Sequence, residues 1–432
     1  MTPYVDFSYF LLLLYPLSAL VALGVLGRLG RSAVLVVGVA VVVFQYYAPV
    51  GDADQPGGLQ QLIFLGGYAA LSTAVVLAYS FARRRHAGRS AFYVAIGLVL
   101  LPLVATKVYA LAVVSGRLQA SVAQGGNGPH ASPPLGVPSM ASGLRDTFGF
   151  LGLSYMSLRA VDAIIALRDG VLKEAPAVAD LVSYLLFVPT ISAGPIDRLH
   201  RFTKDLDALP RGGRDYLRDV EAGIHRLAQG FLYKFILAAL IYRHALTPLA
   251  RHSGILALVG YMYAYSLYLF FDFAGYSAFA IGIGHFFGIR VPENFNAPFL
   301  SRNFGEIWDR WHMSLSWWLR DHVYMRFMLN ATRRRWFGGN RERAHRVALM
   351  LTMSLMGCWH GLEPQYVLYG AYQGLMLVAY DVVGRWNKRH RLVGDSRLAH
   401  VAAVFVTVNL FCFGLLIFSG RLFAMSHEAA RR

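Results

Sequence analysis

Acidic residues are scarce in this chain: 24 Asp and Glu stand against 41 Lys and Arg, and charged residues make up 15% of 432 positions. A soluble domain carries about 25%. The two or three soluble domains that the length alone would allow are therefore set aside in favour of one membrane domain. Lysine is scarce too. Lys107, Lys173, Lys204, Lys234 and Lys388 are the only lysines, so the basic charge is almost all arginine, a skew that reads as GC-rich coding rather than a chemical demand. Two cysteines, Cys358 and Cys412, exclude a disulfide framework and a cysteine-built zinc site; both lie in apolar runs as small core residues. No glycine-rich phosphate loop is present, which argues against a P-loop nucleotide site. No internal repeat is present, which argues against a transporter built from repeated halves. No metal site is expected.

What the chain has is apolar length. Hydrophobic residues make up 56% and mean hydropathy is +0.45. A spanning helix needs roughly 20 mainly apolar residues. Candidate stretches are 7–26, 33–50, 59–81, 92–114, 148–167, 178–192, 223–242, 256–287, 346–361, 366–383 and 399–418, giving about 11 membrane helices plus re-entrant segments. The first stretch has no basic flank or small-residue cleavage site and is expected to be a retained helix. Stretch 256–287 is too long for one simple span. Stretch 178–192 is too short, ends among Pro189, Gly194 and Pro195, and reads as re-entrant. The expected organisation is a single membrane domain over 1–432, with N-terminal helices to 180, a catalytic core over 181–383 and a C-terminal helix beyond.

The net charge of +17 fits the positive-inside rule better than nucleic-acid binding. The basic stretches around Arg28 and Arg31 and over 83–85, 168–173, 198–218, 290–310, 333–346 and 385–397 are expected on the cytoplasmic side. The Asp52/Asp54 loop and the Gly/Pro/Ser-rich loop 115–142 are expected outside, as are both termini. This holds if 178–195 and 308–329 dip into the bilayer without crossing it.

Chemistry concentrates in a few residues. His360 ends an apolar run, where an imidazole is hard to solvate and needs a partner or a task. Its flanking Gly357 and Gly361 leave room for a substrate or another helix. Histidine can serve as a general base because its pKa lies near neutral pH. His312 lies in an aromatic, charged segment. Read as a helix over 308–324, that segment puts Trp308, His312, Leu315, Leu319 and His322 near one face and Asp309, Ser316 and Arg320 on another. An interfacial anchor helix explains that pattern as well as a polar path does, and His322 reads as a surface or packing histidine. Asp272 is an intramembrane carboxylate, most simply paired with a buried Arg, Lys or hydroxyl; Asp162, Lys107 and Lys234 read alike. No serine or cysteine sits in a nucleophile elbow, so the acceptor hydroxyl is expected to come from the substrate.

Three motifs taken together resemble the membrane-bound O-acyltransferase (MBOAT) family. They are the stretch from Pro292 to Asn303, the stretch from Trp308 to Asp321 that contains Arg310-Trp311-His312, and Met356 to Gly361 with Trp359-His360-Gly361. Within the family, Phe187 to Arg198 is similar to the branch that moves D-alanine in teichoic-acid D-alanylation. The polysaccharide O-acetyltransferases of the alginate-acetylating type share the two histidine motifs.

The resemblance implies an all-α polytopic membrane protein with a helical ring around a central tunnel. It implies His360 and His312 as the catalytic pair, with Trp359, Trp311, Ser316 and Asp272 as candidates along the tunnel or at the oxyanion. Among Trp359, His312 and a backbone N–H the oxyanion donor stays open. The implied reaction takes D-alanine from a phosphopantetheine thioester on a small acidic carrier protein in the cytosol. The group goes to a hydroxyl of an envelope polymer, or to a small relay protein, outside a bacterial cytoplasmic membrane. No bound cofactor and no nucleic acid are implied. Met325, Met328 and Leu329 beside Arg333 and Arg334 form the expected carrier-docking surface. Two alternatives remain at this level: acetyl transfer to an exported polysaccharide, and a proton-coupled transporter with a histidine relay.

Overall fold

The structure, a computed structural model, describes residues 7–47, 58–86, 88–123, 152–209, 212–390 and 396–429. It is all-α: among the described residues no β-strand forms, and one isolated antiparallel bridge joins Phe295 to Trp311. Among the described residues, six helices are long and apolar enough to cross a membrane, which makes this a multi-pass membrane protein. The described residues form two compact units, Met1–Phe231 with Gly275–Pro292, and Leu232–Ala274 with Glu293–Arg432.

The first unit contains α1 (Phe7–Val25), α2 (Arg31–Tyr47), α3 (Gly58–Arg84), α4 (Arg89–Ala123), α5 (Leu153–Asp169), α6 (Val178–Leu185), α7 (Leu199–Asp207) and α8 (Gly213–Phe231). α4 runs on to Ala123, so the first part of the loop read over 115–142 is helix; the rest of that loop and the Asp52/Asp54 loop lie outside the described residues. The short stretch 178–192 breaks where its sequence demands. α6 stops at Leu185, Pro189 opens a single 3-10 turn (Val188–Thr190), and non-helical backbone follows. Such backbone is tolerated at depth only where protein satisfies it. Here Arg159, 1% exposed, donates to the carbonyls of Tyr184 at 2.9 Å and Leu185 at 3.0 Å and to the Thr190 hydroxyl. The Tyr276 hydroxyl bonds Ser192 and accepts from the amide of Ala193. Asp162 is structural as well: it accepts from Arg198 Nη1 and the amide of Leu199, both at 2.9 Å.

The long stretch 256–287 is one unbroken helix, α9 (Ile255–Phe286), whose residues to Ala274 belong to the second unit. At 1.5 Å per residue it is about 48 Å long, beyond a bilayer core of roughly 30 Å, so it tilts or emerges from the hydrocarbon. The second unit also holds α10 (Phe304–Arg310), α11 (Met313–Leu319), α12 (Met325–Arg333), α13 (Arg341–His360), α14 (Pro364–His390), α15 (Arg397–Phe418) and α16 (Arg421–Ala429). π-helical turns cover Leu232–Ala238, Tyr242–Leu246 and Arg320–Tyr324. α13 is 20 residues long, but Arg341, Arg343 and Arg346 in its first two turns keep it from reading as a plain apolar span.

Asp272 is paired with Lys234 within this unit. Removing one partner leaves a charge with no counter-ion in a poor solvent for it. In detergent, Lys234→Met should lower the thermal midpoint and the added Asp272→Leu should recover most of the loss. A double-mutant cycle should give about 0.5–3 kcal/mol of coupling; additive losses would mean the pair contributes nothing.

Candidate active site

The segment over 308–324 is not one helix. α10 ends at Arg310, Trp311 is extended (φ −114°, ψ 127°), and His312 is left-handed (φ 47°, ψ 48°) at the start of α11. The single amphipathic face expected from 3.6-residue spacing therefore does not exist, because the chain turns at the histidine itself. A left-handed histidine costs conformational energy and persists only where its surroundings fix it. The segment after Pro292 supplies that restraint. The carbonyl of Asn294 accepts from the amide of Met313 at 3.0 Å, and its side-chain oxygen accepts from the Ser314 hydroxyl at 2.6 Å. The Asn296 amide donates to the carbonyl of Arg310 at 2.9 Å.

α10 is fixed from its other end by an asparagine N-cap and a glutamate that reaches back to the residue before it. Asn303 Oδ1 accepts from the amide of Glu306 at 2.9 Å, and Glu306 accepts in return from the amide and Nε of Arg302, each at 2.9 Å. Burial alone would raise the Glu306 pKa, but the bonds from Arg302 outweigh it and hold the carboxyl below its usual range. The carboxylate completes the cap only while ionised.

His312 is 4% exposed and stands edge-on to Phe273, with ring centroids 4.8 Å apart. His360 is the last residue of α13. Its ring packs against Trp359 at 4.9 Å and Phe418 at 5.1 Å. Both histidines line one cavity of about 90 Å³, together with Trp308, Trp311, Phe273, Tyr369, Phe418, Leu269 and Leu415. Two imidazoles 48 positions apart in sequence thus face one small, aromatic, water-poor space. That arrangement suits proton transfer to or from a buried reacting group.

The other expected site residues divide. Trp311, 4% exposed, lines the cavity and packs on Phe295 and Phe411 at 5.1 Å each. Trp359, Ser316 and Asp272 are not among its lining residues. Trp359 lies beside both imidazoles, 6.3 Å from His312. Ser316 donates to the carbonyls of Trp311 and His312, so its hydroxyl braces the turn. Met325 and Leu329 are about half exposed on α12 and Met328 is half-buried, with Arg333 and Arg334 exposed at its end. His322 packs on Trp318 at 4.7 Å. The sequence reading missed Phe273, Tyr369 and Phe418 as site residues. They come from three other helices, and no local spacing links them to either histidine. No group of three or more His, Cys, Asp or Glu positioned to hold a metal exists among the described residues.

Comparison with known proteins gives the family. The model of the membrane-bound O-acyltransferase family matches residues 166–421. The teichoic acid D-alanyltransferase of Bacillus subtilis (strain 168) is 42% identical over 297 residues, covering 68% of this chain and 75% of that protein. The enzyme of the same name from Streptococcus thermophilus (strain ATCC BAA-250 / LMG 18311) is 36% identical over 378 residues, covering 84% and 83%. The probable alginate O-acetylase AlgI of Pseudomonas aeruginosa is 35% identical over 246 residues, but covers only 54% of this chain and 43% of that protein.

Proposed function

The chain belongs to the membrane-bound O-acyltransferase family and is an acyltransferase, and on that premise we propose that the group it moves is D-alanine, taken from a carrier-protein thioester in the cytosol and delivered to a hydroxyl on a teichoic-acid-like envelope polymer or a relay protein outside. The observation that carries this reading is the meeting of His312 and His360 in one small cavity. About 90 Å³ is far below the roughly 300–1,000 Å³ of sites for drug-sized ligands. It suits the end of a short acyl group. Similarity to teichoic acid D-alanyltransferases over most of the chain favours D-alanyl over acetyl. Family membership sets the transporter alternative aside.

A thioester is already activated, so the enzyme's task is alignment, deprotonation and exclusion of water. His360 takes the proton of the attacking hydroxyl. Its oxygen bonds to the carbonyl carbon, and the carbon–sulfur bond breaks as the proton passes to the departing thiolate. The thioester arm enters from the cytosolic side, the acceptor from the other, and both termini lie outside. The enzyme needs no bound cofactor, since the phosphopantetheine belongs to the carrier.

The test is consumption of thioester by protein in liposomes, with carrier loaded with labelled D-alanine or with acetate. Turnover of the D-alanyl donor supports the proposal. Turnover of acetyl alone moves the protein to polysaccharide acetylation. The carrier site is tested separately: Met328→Asp places a carboxylate on the half-buried apolar face of α12 against an acidic partner. It should weaken carrier affinity about thirtyfold, the roughly 2 kcal/mol of an interface hot spot, while the protein stays folded. Unaltered affinity would move the docking surface elsewhere.

A further inference from the structure

Two side chains that line the site each carry a ring nitrogen without a partner among the described residues. Trp308 is 6% exposed and lines the cavity with both histidines. Its Nε1 is buried and has no hydrogen-bond partner among the described residues. The same holds for Nε2 of His312. Leaving a buried N–H unpaired costs about 1–3 kcal/mol, so an orphan donor on a residue that lines the reaction cavity points to a partner that arrives with the substrate. The two orphans differ in kind. An imidazole nitrogen donates or accepts according to tautomer, whereas an indole N–H only donates. It cannot serve as the base.

We infer that the indole N–H of Trp308 is the donor that stabilises the oxyanion when the thioester carbonyl is attacked. The inference rests on the thioester acyl-transfer reading above. As the hydroxyl oxygen bonds to the carbonyl carbon, the π pair moves onto the carbonyl oxygen. Trp308 Nε1–H receives that charge, and the charge returns as the carbon–sulfur bond breaks. A donor already fixed in a low-dielectric space needs no reorganisation at that moment. Trp308 meets this condition because α10 is capped by Asn303 and Glu306 at one end and tied through Arg310 to Asn296 at the other. Being unpaired is not sufficient by itself: Trp318 Nε1 is also buried without a partner, but Trp318 does not line the cavity.

The test replaces Trp308 by benzothienylalanine, which keeps the ring shape and puts sulfur where the N–H was, and in parallel by phenylalanine. Both are assayed in liposomes with loaded carrier. The expected result is a 10²–10³-fold fall in kcat, the usual scale for one oxyanion donor. KM and carrier affinity should hold and the pH–rate profile should keep its position, since no base is lost. The same isostere at Trp318 should leave kcat unchanged. If Trp308 only packs the cavity, the isostere keeps wild-type kcat and Trp308→Phe raises KM instead; that result overturns the inference alone. A wild type that consumes neither the D-alanyl nor the acetyl donor overturns the thioester-transfer reading on which the inference rests.

Discussion

Replacing His360 with alanine should lower acyl-donor turnover by about 10²–10⁴-fold, the range that a positioned general base contributes, while carrier affinity and the thermal midpoint stay near wild type. The asymmetry follows from how each histidine is held. His360 is the last residue of α13 and its backbone is ordinary helix, followed by an extended Gly361. Truncating it removes a ring packed on Trp359 and Phe418 without releasing backbone strain. His312 has a second, structural duty, because its left-handed backbone sets the turn between α10 and α11. Alanine there should cost both activity and stability, and His312→Asn, tolerant of that conformation, should recover the stability. The His360→Ala space should also admit imidazole from the buffer, which would restore part of the rate. Equal turnover by His360→Ala would show that the base is elsewhere.

The sequence revealed the two histidines, the helix break before Pro189 and the apolar helices because each depends on local chemistry. An imidazole in an apolar run, a Pro-Gly-Pro cluster and a run of about 20 apolar residues are visible without knowing any distant contact. The reading failed where a distant segment decides the local structure. Nothing within 308–324 signals that the chain leaves the helix at Trp311. Asn294, from the preceding segment, bonds the backbone on the far side of His312 and pays for its conformation. The motif from Pro292 to Asn303 was legible as a motif, but its use as a brace was not. Likewise Ser316 looked like a polar group on a face and is a clasp on the turn.

The same distinction explains Gly357, where the sequence left open whether the missing side chain makes room for substrate or for a helix. The structure selects the helix. A Cβ on Gly357 would stand 2.4 Å from the carbonyl oxygen of Tyr366 and 2.8 Å from Cα of Gly370; one on Gly370 would stand 2.6 Å from the carbonyl oxygen of Met353. These neighbours are backbone and cannot rotate aside. The contact joins α13 and α14 through Gly357, Gly370 and Gly374, the close approach that small residues permit between membrane helices. His360 lies one turn beyond it and Tyr369 is adjacent to it, so any separation of the helices moves two walls of the cavity. Gly357→Val should therefore destabilise the protein by about 1–3 kcal/mol through overpacking. It should also lower kcat about 10²-fold in the molecules that remain folded, the cost of displacing a catalytic group by about 1 Å. Gly384→Val, on the same α14 but with nothing within 4 Å of its Cβ position, is the matched control and should leave kcat unchanged. Measuring kcat per folded molecule, with the folded fraction taken from thermal denaturation in the same liposomes, separates the two effects. If Gly357→Val loses stability but keeps its kcat per folded molecule, the α13–α14 contact holds the fold without setting the position of His360.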